Sequence, residues 1–270
     1  MGKKVSLLLT TYNSESVIAK TLDSIMMQDY DDIEICIADS ESSDSTLDIV
    51  GKYSESSRYP IVCKSKKDGG IYEGLNNAIA LSSGDYLQVM NDRLTTPDAI
   101  SKLVKAIEDE ESMCGNPDSV LGAHSDLVYA EGDKVVRYWH MGRGKIGSGW
   151  MPAHPTLMLK KSAYDKYGLY DTTYICSADY EFMLRILKAG GRLGYVPEVL
   201  VSMYYGGTSN STSDAYVNSI SEAIRALKAN NIHPALWITG LRTVRVALQF
   251  VKSPFVNAKI SRQLENNKNE

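Results

Sequence analysis

Four short apolar runs of this 270-residue chain end in side chains that can hold a charged ligand. Thr10-Thr11-Tyr12-Asn13 closes the first, Asp39-Ser40-Glu41-Ser42 the second, Lys66-Lys67-Asp68-Gly69-Gly70 the third and Asn91-Asp92-Arg93 the fourth. They bring together an aromatic ring, carboxylates, hydroxyls, an amide and cations. Taken singly, each is ordinary turn composition. Four such ends together make a stronger signal. The last is also internally discordant: Asn91-Asp92 presents oxygen ligands suited to a metal, and the next residue, Arg93, is a cation.

The elements that must position these ends are legible from hydropathy. Residues 4–12, 33–39, 61–65 and 86–92 are short, apolar and bounded by polar or glycine-containing turns, as buried strands are. Between them lie three segments of helical spacing. In the first, Val17, Ile18, Leu22, Ile25 and Met26 form one stripe after Ser14, the expected N-cap, and the third is stopped by Gly84. Alternation of strand and helix predicts a parallel sheet with right-handed crossovers and helices on both faces. Ligands collect at the carboxyl ends of such strands, where the four polar ends stand. Further on, 96–112 has helical spacing, 119–140 resembles two strands joined by Glu131-Gly132-Asp133, and 177–191 is an amphipathic helix burying Phe182, Met183, Ile186 and Leu187. The stretch 141–155 carries four glycines and one tryptophan, the composition of a loop that is either disordered or closes over a ligand.

Composition bounds the rest. Hydrophobic content of 43%, charged content of 23% and a formal charge of −4 describe a soluble globular chain and argue against a general nucleic-acid binder. Cys36, Cys63, Cys114 and Cys176 are scattered without a paired motif, which fits a reducing compartment. With no apolar run of about 18 residues, a cytoplasmic location is expected. Charge is uneven, however. Between Glu222 and Glu265 there is no acidic residue but seven basic ones, and Trp237, Leu241, Val244, Leu248 and Val251 recur there at helical spacing beside Arg242, Arg245 and Lys252. Such a helix either lies in a membrane interface or packs on the rest of the molecule.

The stretches "SLLLTTYN", "IADSESSDST", "KKDGGIYEGLNNAIALSSGDYLQVMND", "AHPTLMLKKSAY" and "SADYEFMLRILKAGGRLGYVPEVLVSMYYGGTSN" occur in the order of the landmarks of bacterial family 2 glycosyltransferases, which this chain resembles from about residue 4 to 210. The resemblance implies the α/β GT-A fold, a Rossmann-like mixed sheet flanked by helices. It divides the chain into a transferase domain over 1–213, with a nucleotide-binding half to about 96 and an acceptor half from 97, and a C-terminal helical extension over 214–270. It implies inverting transfer from a nucleoside diphosphate sugar to a hydroxyl of a glycan acceptor, lipid-linked in the most similar subgroup, during synthesis of a capsule, O-antigen or related surface polysaccharide. A lipid-linked acceptor would place the enzyme peripherally on the inner face of the cell membrane.

Site roles follow from the same resemblance. Thr11 and Tyr12 match positions that hold the nucleobase, Asp39 a carboxylate on base or ribose, and Asp68 and Gly70 the loop over the nucleotide. Asn76 matches a family amide, or else faces solvent. Asp179 matches the general base that takes the acceptor's proton, and it is equally an N-cap candidate. His154 matches a histidine near the acceptor or diphosphate, or is structural, and Glu181 is a secondary candidate on the acceptor side. The family's strand-four motif usually ends in a carboxylate that binds Mg²⁺ or Mn²⁺, and here that position is Arg93. Three readings stay open: Arg93 replaces the metal, Asp92 still binds one with Arg93 turned aside, or the protein binds sugar nucleotides without turning them over. A sugar nucleotidyltransferase is a further alternative, against which stands the lack of a glycine-rich loop after the first strand.

Overall fold

A computed structural model describes residues 2–131, 134–204 and 213–248. In chain order the elements are β1 (Val5–Thr11), α1 (Ile18–Met26), β2 (Ile33–Asp39), α2 (Thr46–Ser56), β3 (Ile61–Ser65), α3 (Ile71–Leu81), β4 (Tyr86–Val89), β5 (Arg93–Leu94), α4 (Ala99–Met113), β6 (Val120–Glu131), β7 (Lys134–Trp139), β8 (Met158–Lys160), α5 (Lys161–Tyr167), α6 (Ala178–Lys188), β9 (Arg192–Tyr204) and α7 (Ser213–Ala229). A further helix, α8, occupies 235–248.

The apolar runs make strands because alternate residues serve opposite faces of the sheet. Val5, Leu7 and Leu9 of β1 pack with Leu22 and Ile25 of α1 and Ile100, Leu103 and Ile107 of α4. Leu8 joins Leu75 and Ile79 of α3 and Phe182 and Ile186 of α6 in a second core. Among the described residues nine strands form one sheet in the order β3-β2-β1-β4-β8-β6-β9-β5, with β7 on β6. β3, β2, β1 and β4 run parallel, as the alternation predicts. Beyond β4 the sheet is mixed, since β8 is antiparallel to β4 and to β6. The parallel half sets the ends of β1, β2, β3 and β4 on one edge.

Several local expectations are corrected. β4 closes at Val89 instead of continuing to 92. The backbone turns over 90–92 so that Arg93 and Leu94 can pair with Ser202 and Val201 of β9. Ser14 does not cap α1 as expected; the helix begins at Ile18, while the Ser14 carbonyl accepts the Val17 and Ile18 amides. β9, unforeseen from spacing alone, pairs along β6 with register shifts around Ser125 and Asp126. The glycine-rich stretch is ordered by packing. Trp150 is buried and its Nε1 donates to the Met141 and Gly142 carbonyls.

The C-terminal helices belong to the same core. Ala223, Ala226 and Leu227 of α7, with Ala235 and Ile238 of α8, are buried in the cluster that holds Phe182. The Arg242 guanidinium lies 4.4 Å from the centre of the Tyr180 ring. Among the described residues no helix is long and apolar enough to cross a membrane. Val251, Lys252 and most of 203–214 fall outside the described residues.

Candidate active site

Asp39, the last residue of β2, is paired with Thr11 across the parallel ladder and is 1% exposed. Its carboxylate accepts from Thr11 Oγ1 (2.8 Å), Ser42 Oγ (2.5 Å), Ser42 N (3.0 Å) and Ser65 Oγ (2.6 Å). Burial pushes its carboxyl up, but the Ser42, Ser65 and Thr11 donors outweigh this and hold it below the usual carboxylate range. All four acceptor positions are filled. Of these donors Ser65 is exposed. Tyr12, next in chain to Thr11, is 66% exposed and offers its ring to solvent.

The β3–α3 loop folds on itself. Asp68 Oδ1 accepts from the Gly70 amide (3.0 Å), and Gly70 has φ +134°, a backbone conformation that favours glycine. α3 lies close to the end of β1, since a Cβ on Gly74 would stand 3.0 Å from Asp68 Oδ2 and 3.1 Å from Thr10 Cγ2. Asn76, two residues on, is half-buried. Its Nδ2 donates to the Tyr170 carbonyl (2.9 Å) and its Oδ1 accepts the Tyr170 amide (3.1 Å), clamping the segment before α6 onto α3.

Asn91 makes a similar clamp at the edge of the sheet. Its Oδ1 accepts the Thr10 amide and its Nδ2 donates to Thr10 Oγ1, both at 2.9 Å, tying the end of β4 to that of β1. Asp92 is half-buried, and burial pushes its carboxyl up to about 6 against the opposing effects of the Tyr204 backbone and the Arg93 charge. Arg93 starts β5 opposite Ser202. Among the described residues no group of three or more His, Cys, Asp or Glu side chains could hold a metal ion. The strand end thus supplies one carboxylate and a cation, with the Asn91 amide already engaged. That set suits a divalent ion only if diphosphate oxygens and waters complete its shell.

Asp179 sits in the first turn of α6, behind Ser177 at the N-cap position. The N-cap expectation for Asp179 itself is therefore corrected by two residues, although a carboxylate in the first turn still complements the helix dipole. Tyr72 Oη, from α3, donates to Asp179 Oδ1 at 2.9 Å. His154 Nε2 lies 2.8 Å from Tyr170 Oη, and Tyr170 Oη also meets Tyr164 Oη at 3.1 Å. Burial lowers the His154 imidazole, with the Asp179 charge acting the other way. Glu181 pairs with Arg185 and accepts from Asn230 Nδ2, joining α6 to the end of α7. Two residues along the helix from Asp179, it is turned from that carboxylate. Tyr72, Ser65 and Tyr170 carry no signal in the sequence that marks them for the site. Tyr72 stands on the buried stripe of α3, where an aromatic reads as core.

A cavity of about 400 Å³ lined by Lys3, Asp85, Lys160 and Lys161, among others, lies at the amino ends of β1 and β4, away from these residues.

The family model for glycosyl transferase family 2 matches residues 6–168. The chain belongs to glycosyl transferase family 2. It is accordingly a glycosyltransferase, and its fold is the GT-A arrangement. Among family relatives, a "PGL/p-HBAD biosynthesis glycosyltransferase" of Mycobacterium bovis is 25% identical over 219 residues, covering 77% of this chain and 80% of the relative. A Methanococcus voltae protein named "Dolichyl N-acetyl-alpha-D-glucosaminyl phosphate 3-beta-D-2,3-diacetamido-2,3-dideoxy-beta-D-glucuronosyltransferase" is 26% identical over 226 residues, covering 76% and 68%. The solved mannosyltransferase PcManGT of Pyrobaculum calidifontis, in complex with GDP-Man and Mn²⁺, superposes with a TM-score of 0.61 at 16% identity, covering 92% of this chain and 75% of that one.

Proposed function

We propose that this family 2 enzyme transfers a sugar from a nucleoside diphosphate sugar to a hydroxyl of a lipid-linked glycan, with inversion, in the assembly of a surface polysaccharide. The observation that carries the reading is Asp179, placed in the first turn of α6 with one oxygen held by Tyr72. In the proposed reaction the acceptor hydroxyl attacks the anomeric carbon from the face opposite the diphosphate. Asp179 takes the hydroxyl proton as the new C–O bond forms, and the nucleoside diphosphate leaves with the electrons of the old one. Tyr12 stacks on the base, Thr11 and Asp39 hold the base or ribose, and the Asp68–Gly70 loop covers the nucleotide. His154, whose Nε2 lies 2.8 Å from Tyr170 Oη, is read as a residue of the acceptor side.

Arg93 is proposed to face the diphosphate and to stabilise its developing charge through bidentate hydrogen bonds. The single carboxylate at this strand end supports that reading over a protein-held metal. The GDP-Man and Mn²⁺ complex of PcManGT supports the alternative, in which Asp92 contributes to an Mg²⁺ or Mn²⁺ site together with the diphosphate. The domain reading assigns residues 1–213 to the transferase and 214–270 to an extension that meets the membrane from the cytoplasmic side. The dolichyl-linked substrate in the Methanococcus voltae relative's name supports a lipid-linked acceptor.

The test is product analysis after incubation with sugar nucleotides and a lipid-linked acceptor. NMR of the new linkage is expected to show the anomeric configuration inverted relative to the donor, and retention would contradict the mechanism. Turnover is expected to persist in excess EDTA. Loss of turnover restored by Mn²⁺ would instead favour the Asp92 site.

A further inference from the structure

We infer that Tyr72 is a positioning residue for the transfer reaction: its hydroxyl holds Oδ1 of Asp179 and leaves Oδ2 as the oxygen that receives the acceptor's proton. The inference rests on the reading of Asp179 as the base. Tyr72 Oη donates to Oδ1 at 2.9 Å across 107 residues of sequence, from α3 to α6. Helix α3 also meets the Asp68 loop and the end of β1, so the bond links the proposed nucleotide side of the site to the proposed base.

The Tyr72 ring is fixed independently of that bond. It is 8% exposed within the core of α3 and α6, and its centroid lies 6.0 Å from that of Tyr170. Tyr170 is itself held by the Asn76 clamp and by contacts of its hydroxyl with His154 and Tyr164. The hydroxyl is therefore presented to Asp179 by a ring that has no freedom to swing away. An aspartate has two equivalent oxygens and a nearly free terminal torsion, and a donor locked onto one oxygen removes both ambiguities.

The proton balance is simple. It passes from the acceptor hydroxyl to Oδ2, and Tyr72 neither gains nor loses one. Burial and the neighbouring Asp179 charge push the Tyr72 phenol well above its ordinary value, so it remains a donor throughout the working pH range.

Tyr72→Phe keeps the ring and removes only the hydroxyl. We expect kcat to fall about tenfold with the donor KM within about twofold of the parent. The acid limb of the pH–kcat profile is expected to move to higher pH, because a carboxylate that loses a donor holds its proton more tightly. Site-specific 3-fluorotyrosine at position 72, a stronger donor of nearly the same shape, is expected to move that limb the other way, which a packing role would not do. Parental kcat and an unmoved limb in both proteins would overturn the inference. Asp179→Asn, assayed in parallel, separates the two levels. An inactive Asp179→Asn beside a parental Tyr72→Phe removes only the role of Tyr72, whereas an active Asp179→Asn removes the base and this inference with it.

Discussion

Two amides, Asn91 and Asn76, each engage both of their polar atoms with main chain or a neighbouring hydroxyl and brace the framework of the candidate site. Asn91→Ala is expected to cost about 1–3 kcal/mol, since the Thr10 amide and hydroxyl both lose a partner. Thermal melting should show it as a lowered midpoint, together with weakened donor binding because the end of β1 is released. Arg93→Ala is expected to fold normally and to lose about 10²–10³ in kcat, the scale for removing one donor from a developing anion; steady-state turnover in EDTA measures it. At this scale the sequence marked the right neighbourhood. Asp39 ends β2 as expected from its place after an apolar run, whereas Asn91 lies in the turn beyond β4 and Arg93 begins β5. Thr11 and Ser42 were marked at strand ends, but the convergence of their hydroxyls with that of Ser65 on one carboxylate was not legible, because it depends on the pairing of β1, β2 and β3.

At the scale of elements, the parallel strands are anchored at the end opposite the site. Glu34 on β2 is buried and accepts from Lys4 Nζ (2.6 Å), Ser6 Oγ (2.6 Å) and the Ser83 amide (2.6 Å). Burial would push its carboxyl up, yet the Lys4 ammonium and the serine donors win and hold it at about 2, below its ordinary 4.5. A group lowered in the folded state stabilises above its unfolded value and loses that effect as pH falls through the folded one. Stability should therefore drop between about pH 4.5 and 2, and Glu34→Gln should flatten that part of the denaturation profile. The glycine-rich loop makes a second element-scale case. Gly149 has φ +70°, and a Cβ there would stand 2.6 Å from the Arg242 amide. Gly149→Ala is thus expected to loosen the loop from α8 and lower the melting midpoint, by about 1–2 kcal/mol from the backbone alone. Glycine content left disorder or closure as the options for this loop. What decided against disorder was Trp150 and a helix some 90 residues away, a contact no local pattern encodes. β9 escaped notice for a related reason: its pairing with β6 is non-local, and Pro197 interrupts the run that would have marked it as a strand.

Over the whole molecule, the described part of the C-terminal basic segment packs on the rest of the chain, one of the two expectations raised for it. One face of α8 is buried through Ala235, Ile238 and Thr239, and Arg242 reaches Tyr180, the neighbour of Asp179. Leu236, Trp237, Val244 and Leu248 remain exposed, with Trp237 at 66%. Helical spacing alone had grouped Trp237 and Leu241 as one stripe, and only the docked helix shows which apolar residues are spent on the core. The proposed meeting with the membrane would use this exposed set. Trp237→Glu with Leu248→Glu is expected to reduce cosedimentation with phosphatidylglycerol vesicles while leaving the melting midpoint unchanged, because neither side chain is packed.

The most direct test of the account is the rate of sugar transfer by Asp179→Asn under saturating donor and acceptor, with donor affinity measured on the same protein. The account predicts donor binding close to that of the parent and transfer reduced by at least about 10². Transfer at the parental rate by a correctly folded Asp179→Asn protein would contradict it.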